Sequence, residues 1–515
     1  DFHAFWIDPR DPSHFLLGGD GGLHETWDMG ETFRKIDNFA VGQFYAIGVD
    51  MRDPYYVYGG MQDNHSWLGP SATRHWLGIL NDDWRQIGFG DGMYHQVDPT
   101  DHRYVYSSSN DGDYSRVDAV TGDILNITPQ PPAGEDEYRF DWTSPSLLSQ
   151  HDPATIYLGG NRLFISHDRG LSWARTEDLS RQIDRDTLTI MGVPGSEIEL
   201  SRNDGVGSFG QIVVIGESPL DADVLWVGTD DGNVQVSRDG GSTWTEVGRN
   251  VTGVASGTYV SRVTPSSAGA GTAYVAFDGH RHGDFRPYVF RTTDFGESWT
   301  PLVNGLPANG VVNEVIEALD NPEVLYAGTE NGLYFSGDAG ANWIEFAQLP
   351  STLYDDLLIH PREHDLVVGT HGRSILILDD VRPLASWSAD AAAADAHLFP
   401  IRRATTFHYW KDTSYRAQAT YAGENPPDGA ILTYWIGSAA PQATITVSDA
   451  SGQTIRTLQS DATRGLHRTT WDLRYEPPQD DDDDEDEADD PRNRALPRPP
   501  HDMGARGAFV APGTY

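Results

Sequence analysis

The chain has 515 residues, 77 acidic against 36 basic side chains, and a net charge of −41. Such a surface repels nucleic acid and anionic membranes, and no apolar run approaches the ~20 residues that span a bilayer. There is no cysteine, which excludes disulfide staples and thiolate metal sites; no cofactor is expected.

Only two basic residues are lysines, Lys35 and Lys411, and Asp outnumbers Glu 57 to 20. Concentrated salt screens the self-repulsion of such a surface, so the composition points to a halophilic bacterial source. Glycine (54 residues) and aromatics (11 %) are plentiful. Helical periodicity is nearly absent, which predicts an all-β protein.

The strands come in repeated units. They begin near Phe2, Phe44, Met93, Arg139, Gln211, Tyr259, Val312 and Leu353, a spacing of about 35 to 70 residues that suits propeller blades. Each unit reads inner strand, turn, second strand, turn, third strand, hairpin, outer strand. An Asp-Pro or its equivalent marks the first turn, as in DPRDPSHFLLGG, DMRDPYYVYGG and LDNPEVLYAGT; the unit from Tyr259 lacks it.

Five units carry an eight-residue loop before the outer strand. These are TWDMGETF (Thr26–Phe33), SHDRGLSW (Ser166–Trp173), SRDGGSTW (Ser237–Trp244), TTDFGESW (Thr292–Trp299) and SGDAGANW (Ser336–Trp343). Their third positions are Asp28, Asp168, Asp239, Asp294 and Asp338, whose carboxylates can accept N–H bonds from the residues that follow. Gly supplies a positive φ, and the final aromatic buries a large ring. The loops are expected to be turns rather than ligand contacts. In the second unit an insertion, Gln62–Asp83, replaces the loop; the third and eighth units lack it.

After Trp387 the pattern stops. Residues 1–387 are expected to form a propeller of about eight blades, alone or as part of a larger or double one. Residues 388–416 read as a connector. Residues 417–515 read as a truncated β-sandwich built on AILTYWIG, ATITVSDASGQTIRTL and GLHRTTWDLRYEPP. Asp480–Asp490, with ten acidic residues in eleven, reads as a solvated loop.

In a propeller the inner strands line a channel. The loops entering them share a face with the loops between second and third strands, and function is expected there. Asp63, Asp91 and Asp141 occupy equivalent loop positions on neighbouring units. Glycoside hydrolysis needs a carboxylate pair, so these three are the candidate catalytic residues. The candidate ligand-binding set is Gln62, Asn64, His65, Trp67, Tyr94, His95, Arg139, Trp142, Arg286, His371 and Arg373. Asp230, Asp231, Glu314, Asp355, Asp356 and the stretch Asp278–Tyr288 (DGHRHGDFRPY) lie on the same face. His280 and His282 with Asp278 and Asp284 are metal-ligating types, but a solvated turn accounts for them, and no metal site is assigned. Trp67, Trp76 and Trp84 offer rings either for sugar stacking or for packing under the insertion.

The eight-residue loops resemble the Asp box (BNR repeat) of sialidases, sortilin-type receptors and related bacterial proteins. The resemblance implies that they close the hairpin between third and fourth strands of a blade. GMQDNHSWLGPS, RFDWTSP, LWVGTDDGNVQVSRDGGSTW, DFRPYVFRTTDFGESW and LLIHPREHDLVVGTHGRSILILDD are similar to large bacterial proteins with sortilin/VPS10-type repeats. Many of those are labelled glycosyl hydrolases, and they typically carry further blades, which implies more chain ahead of Asp1. The C-terminal part resembles the FlgD-like immunoglobulin (Ig-like) module. The loops are also similar to those of xyloglucan-cleaving enzymes with one catalytic Asp on each of two propellers, which implies at most half of such a site here. The sialidase pattern is not met: its Arg-Ile-Pro cue is missing, and Phe285-Arg286-Pro287 is a partial echo.

The expected function is an exported (secreted, periplasmic or cell-surface) sortilin-like propeller. It would bind a protein, peptide or glycan on its polar loop face, without nucleic-acid binding or membrane insertion. The alternatives are a glycoside hydrolase using a carboxylate pair at the channel mouth, and a self-assembling structural subunit of a surface layer or filament.

Overall fold

The computed structural model describes residues 1–190, 192–198, 209–407, 409, 420–477 and 507–515. The acidic run 480–490 and residues 410–419 lie outside the described residues. The chain divides into two compact units, one of Asp1–Ala385 with Trp410–Asn425, the other of Ser386–Tyr409 with Pro426–Tyr515.

The first unit is an all-β propeller of antiparallel sheets, each with its strands in chain order. Inner strands are Phe2–Ile7, Phe44–Val49, Gly92–Val97, Ser146–Leu148, Ile212–Ser218, Tyr259–Pro265, Val312–Ala318 and Tyr354–Ile359. All but the fourth start within one residue of the expected position. That strand begins at Ser146 rather than Arg139, because Asp141 first closes a turn by accepting the Thr143 N–H at 3.0 Å. Second strands such as Asp221–Thr229 are buried from Val224 to Thr229, since neighbouring sheets cover both faces.

The four-stranded sheets from Phe44 on and the three-stranded sheet that ends at Leu378 close a ring of seven. An apolar cluster fills each contact between neighbours, among them one built on Trp226, Val260 and Phe290 and another on Leu325, Val312 and Tyr274. The seventh cluster joins the last sheet to the first of the ring through Ile47, Tyr55, Val57 and Val367. Polar bonds sew the same seam. Gln43 bridges His371, and Gly42 O accepts the N–H groups of Gly372 and Ser374. Asp356 accepts the Ile47 N–H at 2.8 Å, Tyr55 donates to Asp365, and Arg362 donates to the carbonyls of Met51 and Arg52.

Of the eight expected blades, the first therefore stands outside the ring. Its four strands pair as in the others, yet Phe2, Phe5, Trp6 and Ile7 are 67 %, 59 %, 47 % and 45 % exposed. The seam leaves no gap for it. Asn64 and Asn81 of the second sheet donate to the carbonyls of Asp20 and Asp37 beside it.

The five eight-residue loops each join third and fourth strands. In the loop at Asp239, the carboxylate accepts the Thr243 N–H at 2.8 Å, the Thr243 hydroxyl at 2.6 Å and the Ser237 hydroxyl at 2.9 Å. Asp28, Asp168, Asp294 and Asp338 accept the corresponding bonds. Those bonds hold the Asp28 and Asp168 carboxyls down to about 2. Trp173, Trp299 and Trp343 donate their indole N–H to Ile127, Val247 and Leu302 in the preceding sheet or the chain leaving it, so these three turns are stitched to their neighbours.

The insertion is shorter than expected. Ser66–Pro70 inside it is the third strand of its sheet, and only Ser71–Trp84 extends the connection to the fourth. There Ile79–Leu80 pairs with Ala422–Gly423, and Asn425 accepts the Thr73 N–H at 2.8 Å. Trp84 packs on Gly69, whose absent side chain makes room for the indole.

In the second unit, Ala396–Leu398, Ala430–Ile436 and Gly465–Trp471 form one sheet, and Ala443–Ser448 pairs with Thr454–Ser460. Leu432, Val447, Ile455 and Trp471 fill the space between them.

Candidate functional site at the channel mouth

At the end of the ring opposite the eight-residue loops, three groups of side chains meet. The first is a rim of aromatics and carboxylates. The Trp142 indole N–H lies 3.3 Å from the Tyr45 hydroxyl, and Trp142 is 37 % exposed. Burial raises the Tyr45 phenol, and the charges of Asp91, Asp63 and Asp355 raise it further. Asp63 sits at φ 57°, a left-handed position that Asp tolerates, and its N–H reaches Asp91 Oδ1 at 3.1 Å. Burial raises the Asp91 carboxyl above its usual range, opposed by that N–H and reinforced by the charges of Asp63, Asp111 and Asp20. His371 Nδ1 stands 3.4 Å from Asp355 Oδ2, and burial pushes the Asp355 carboxyl to about 6.

The second group surrounds Arg281. Its guanidinium lies over the Tyr259 ring at 4.9 Å, and Nη1 is buried without a hydrogen-bond partner among the described residues. Asp141 and Asp230 flank it closely enough for its charge to lower both carboxyls against a larger rise from burial. Asp141 is buried and spends one oxygen on the N–H and hydroxyl of Thr143. Asp230 is fully buried and accepts the N–H groups of Gly210 and Gln211.

The third group lies deeper, where Arg262 donates to both Glu314 and Asp356. The charges of all three act on the Tyr94 phenol, which burial raises to about 12.

These positions sort the expected residues. Asp63, Asp91, Trp142 and His371 meet at the rim, directly or through Tyr45 and Asp355; Asp141 joins Arg281, and Tyr94 joins the deeper group. His95 does not reach the mouth. It is 1 % exposed, with Nε2 3.1 Å from the Ser107 hydroxyl, and burial lowers it to about 4. Its neighbour Tyr94 has the channel position, and strand alternation was the signal that separates them. Arg139 is committed to Asp178 and the Gly210 carbonyl, and Arg286 to Asp284. Gln62 accepts from Gln43, Asn64 donates to Asp20 and Gln62, and Trp67 donates to the Asn64 carbonyl. His65 meets the edge of Phe89 at 5.9 Å. Arg373 is exposed.

Sequence reasoning missed Arg281 and Tyr45. Arg281 lies in DGHRHGDFRPY, where the Arg-Pro echo drew attention to Arg286; Tyr45 lies inside a strand, where polarity patterns say little.

The buried Asp230 carries a pH prediction. Burial, then the charge of Asp141, raises its carboxyl from 3.8 to about 7. The neutral form is favoured in the fold, so its contribution is full below pH 3.8 and lost as pH rises through 7. That gap is worth on the order of 4 kcal/mol. Asp230→Asn is expected to gain on the wild type steadily from pH 4 to pH 8 in urea midpoint. A constant difference across that range would refute the assignment.

The chain matches no protein-family model. It is similar to the oligoxyloglucan-reducing end-specific xyloglucanase of Emericella nidulans, 27 % identical over 215 residues, covering 39 % of this chain and 22 % of that protein. The chain thus spans about a fifth of the length of the curated relative it matches. Among solved structures it is similar to YCF48 from Cyanidioschyzon merolae, at 13 % identity and TM-score 0.36, covering 74 % of this chain and 95 % of that one. YCF48 bound to D1 peptide matches at 12 % identity and TM-score 0.33, over 73 % of this chain and 92 % of that one. The extracellular domain of the putative one component system BT4673 from B. thetaiotaomicron matches at 14 % identity and TM-score 0.42, over 66 % and 38 %.

Proposed function

We propose that the chain is an exported, sortilin-like recognition propeller that binds a protein, peptide or glycan at the channel mouth. The observation that carries this reading is the pairing of an exposed aromatic with an unspent cation. Trp142, held by Tyr45, offers a ring face, and Arg281 keeps a buried Nη1 with no acceptor among the described residues. A buried donor without a partner costs free energy, and a ligand acceptor would recover it. Of the carboxylates, Asp141 is held in its own turn, and Asp91 accepts the Asp63 N–H. The first sheet, with its exposed apolar strand, is read as a blade of a second propeller.

Peptide and glycan arrays probed with the wild type, Trp142→Ala and Arg281→Ala test the reading. Truncating a central aromatic or arginine costs about 2 kcal/mol, roughly thirty-fold in affinity. Binders that both variants lose at that scale support it; binders indifferent to both overturn it.

A second reading has its own support. The Asp91 carboxyl, raised by burial beside Asp63, has the character of a general acid, and the curated relative is a xyloglucanase. Incubation with xyloglucan oligosaccharides, followed by mass spectrometry, separates the two readings. Turnover abolished in Asp91→Asn establishes hydrolysis; intact substrate removes it.

A further inference from the structure

The arm that delivers Arg281 leaves the strand Ala273–Asp278 and returns at Val289–Thr292. It makes one 3-10 turn, His280–His282, ended by Gly283 at φ 68°. Within that turn His280 is held at both ring nitrogens. Nδ1 lies 2.5 Å from Asp278 Oδ1, and Nε2 lies 2.5 Å from Glu330 Oε1. Asp278 is on the arm's own sheet, whereas Glu330 follows the strand Asn321–Thr329 of the next sheet.

A neutral imidazole has one N–H and one lone pair. It can donate to only one of these carboxylates; at the other, its lone pair would face an anionic oxygen. Bonding to both carboxylates at once requires an imidazolium, which donates from each ring nitrogen.

We propose that protonated His280 is a latch that ties the arm to the neighbouring sheet and so positions Arg281 at the channel mouth, and that deprotonation frees the arm. The functional meaning rests on the mouth being the binding site; the latch itself can be read without any ligand.

Among the described residues, the groups facing His280 are few. Asp278 and Glu330 supply the charges, and the Phe285 ring meets the imidazole edge-on at 5.1 Å. Elsewhere on the arm, Asp284 is engaged by Arg286 and Tyr288, Arg281 lies over Tyr259, and His282 keeps Nε2 buried. The strand Thr189–Ile190, which packs against this turn, has no titratable residue. The bond to Asp278 does most to lift His280 to about 9; burial opposes it, and the Asp278 charge with the bond to and charge of Glu330 add to the rise. With the folded value above the ordinary 6.5, the latch is fully closed below 6.5 and is lost as pH rises through about 9.

The test is hydrogen exchange by mass spectrometry on the full chain, from pH 7 to pH 10, corrected for the intrinsic dependence on pH. Peptides covering 278–288 are expected to lose protection with a midpoint near 9 in the wild type. Glu330→Gln should shift that midpoint down, because the neutral amide no longer holds the proton. His280→Gln should leave the arm equally unprotected at every pH. Peptides from the strand Asp221–Thr229 should stay protected in all three, which reports that the variants fold. An arm with unchanged protection from pH 7 to pH 10, or the same midpoint in Glu330→Gln, overturns the latch. Array binding at pH 7 is scored separately: its absence alongside a midpoint near 9 removes the binding reading and leaves the latch standing.

Discussion

Arg262→Met is expected to lower stability by about 3 to 5 kcal/mol. Arg262 donates to Glu314 and, at 2.9 Å, to Asp356; the two carboxylates are 2 % and 10 % exposed. Their remaining oxygens are also spent. Glu314 accepts the Leu357 N–H at 2.5 Å, and Asp356 accepts the Ile47 N–H at 2.8 Å. The cluster thus links the inner strands of three consecutive sheets and the first strand of the ring. Burial pushes the Glu314 carboxyl well above its usual range, with the Arg262 charge opposing it. Burial works against the Arg262 charge too, but Glu314 and Asp356 outweigh it. Without the guanidinium, two close acids are left uncompensated at the seam. Adding Glu314→Gln to Arg262→Met should recover part of the loss, because the partners are coupled. Urea midpoints of the three proteins decide the matter: a single-variant loss below about 1 kcal/mol, or no recovery in the double variant, would show that the cluster does not hold the ring.

Gly60→Ala should be as damaging for a different reason. A Cβ at Gly60 would stand 2.3 Å from the Gly92 carbonyl carbon and 2.3 Å from the Met93 carbonyl oxygen. Both belong to the backbone of the next inner strand, so no side-chain rotation relieves the contact. Overpacking of cores typically costs 1 to 3 kcal/mol, and a loss of about 3 kcal/mol or more is expected where backbone must move. Gly21→Ala, where nothing lies within 4 Å, is the matched control and should be neutral within about 0.5 kcal/mol. Equal midpoints for the two variants would mean that the sheets do not approach as closely as described.

The reach of sequence reasoning differs from element to element. Strand and loop positions were legible because local rules write them. Asp239 bonds the residues just after it, Gly241 takes φ 88°, and VLWVG is apolar on both faces because sheets cover both. The same rules misplaced the third strand of the second sheet. The polar run Gln62–His65 hides a short turn, and Ser66–Pro70 after it carries little alternation.

The amino-acid sequence by itself determined an all-β chain of repeated four-stranded units, their turn chemistry, and the face that gathers polar loops. Those features depend on alternation, on carboxylates reaching their own backbone, and on glycine where φ is positive. Only the tertiary structure decided that seven units close the ring while Phe2–Ile36 stands apart. Closure is settled by residues some 310 positions apart, as when Tyr55 donates to Asp365 and His360 meets the Asp50 carbonyl. The tertiary structure likewise decided that Arg281, rather than Arg286, lies over Tyr259. Both sit in one polar stretch. Asp284, two residues away, captures Arg286 within the arm, whereas the turn that carries Arg281 depends on an acid distant in sequence, through His280 and Glu330 of the next sheet.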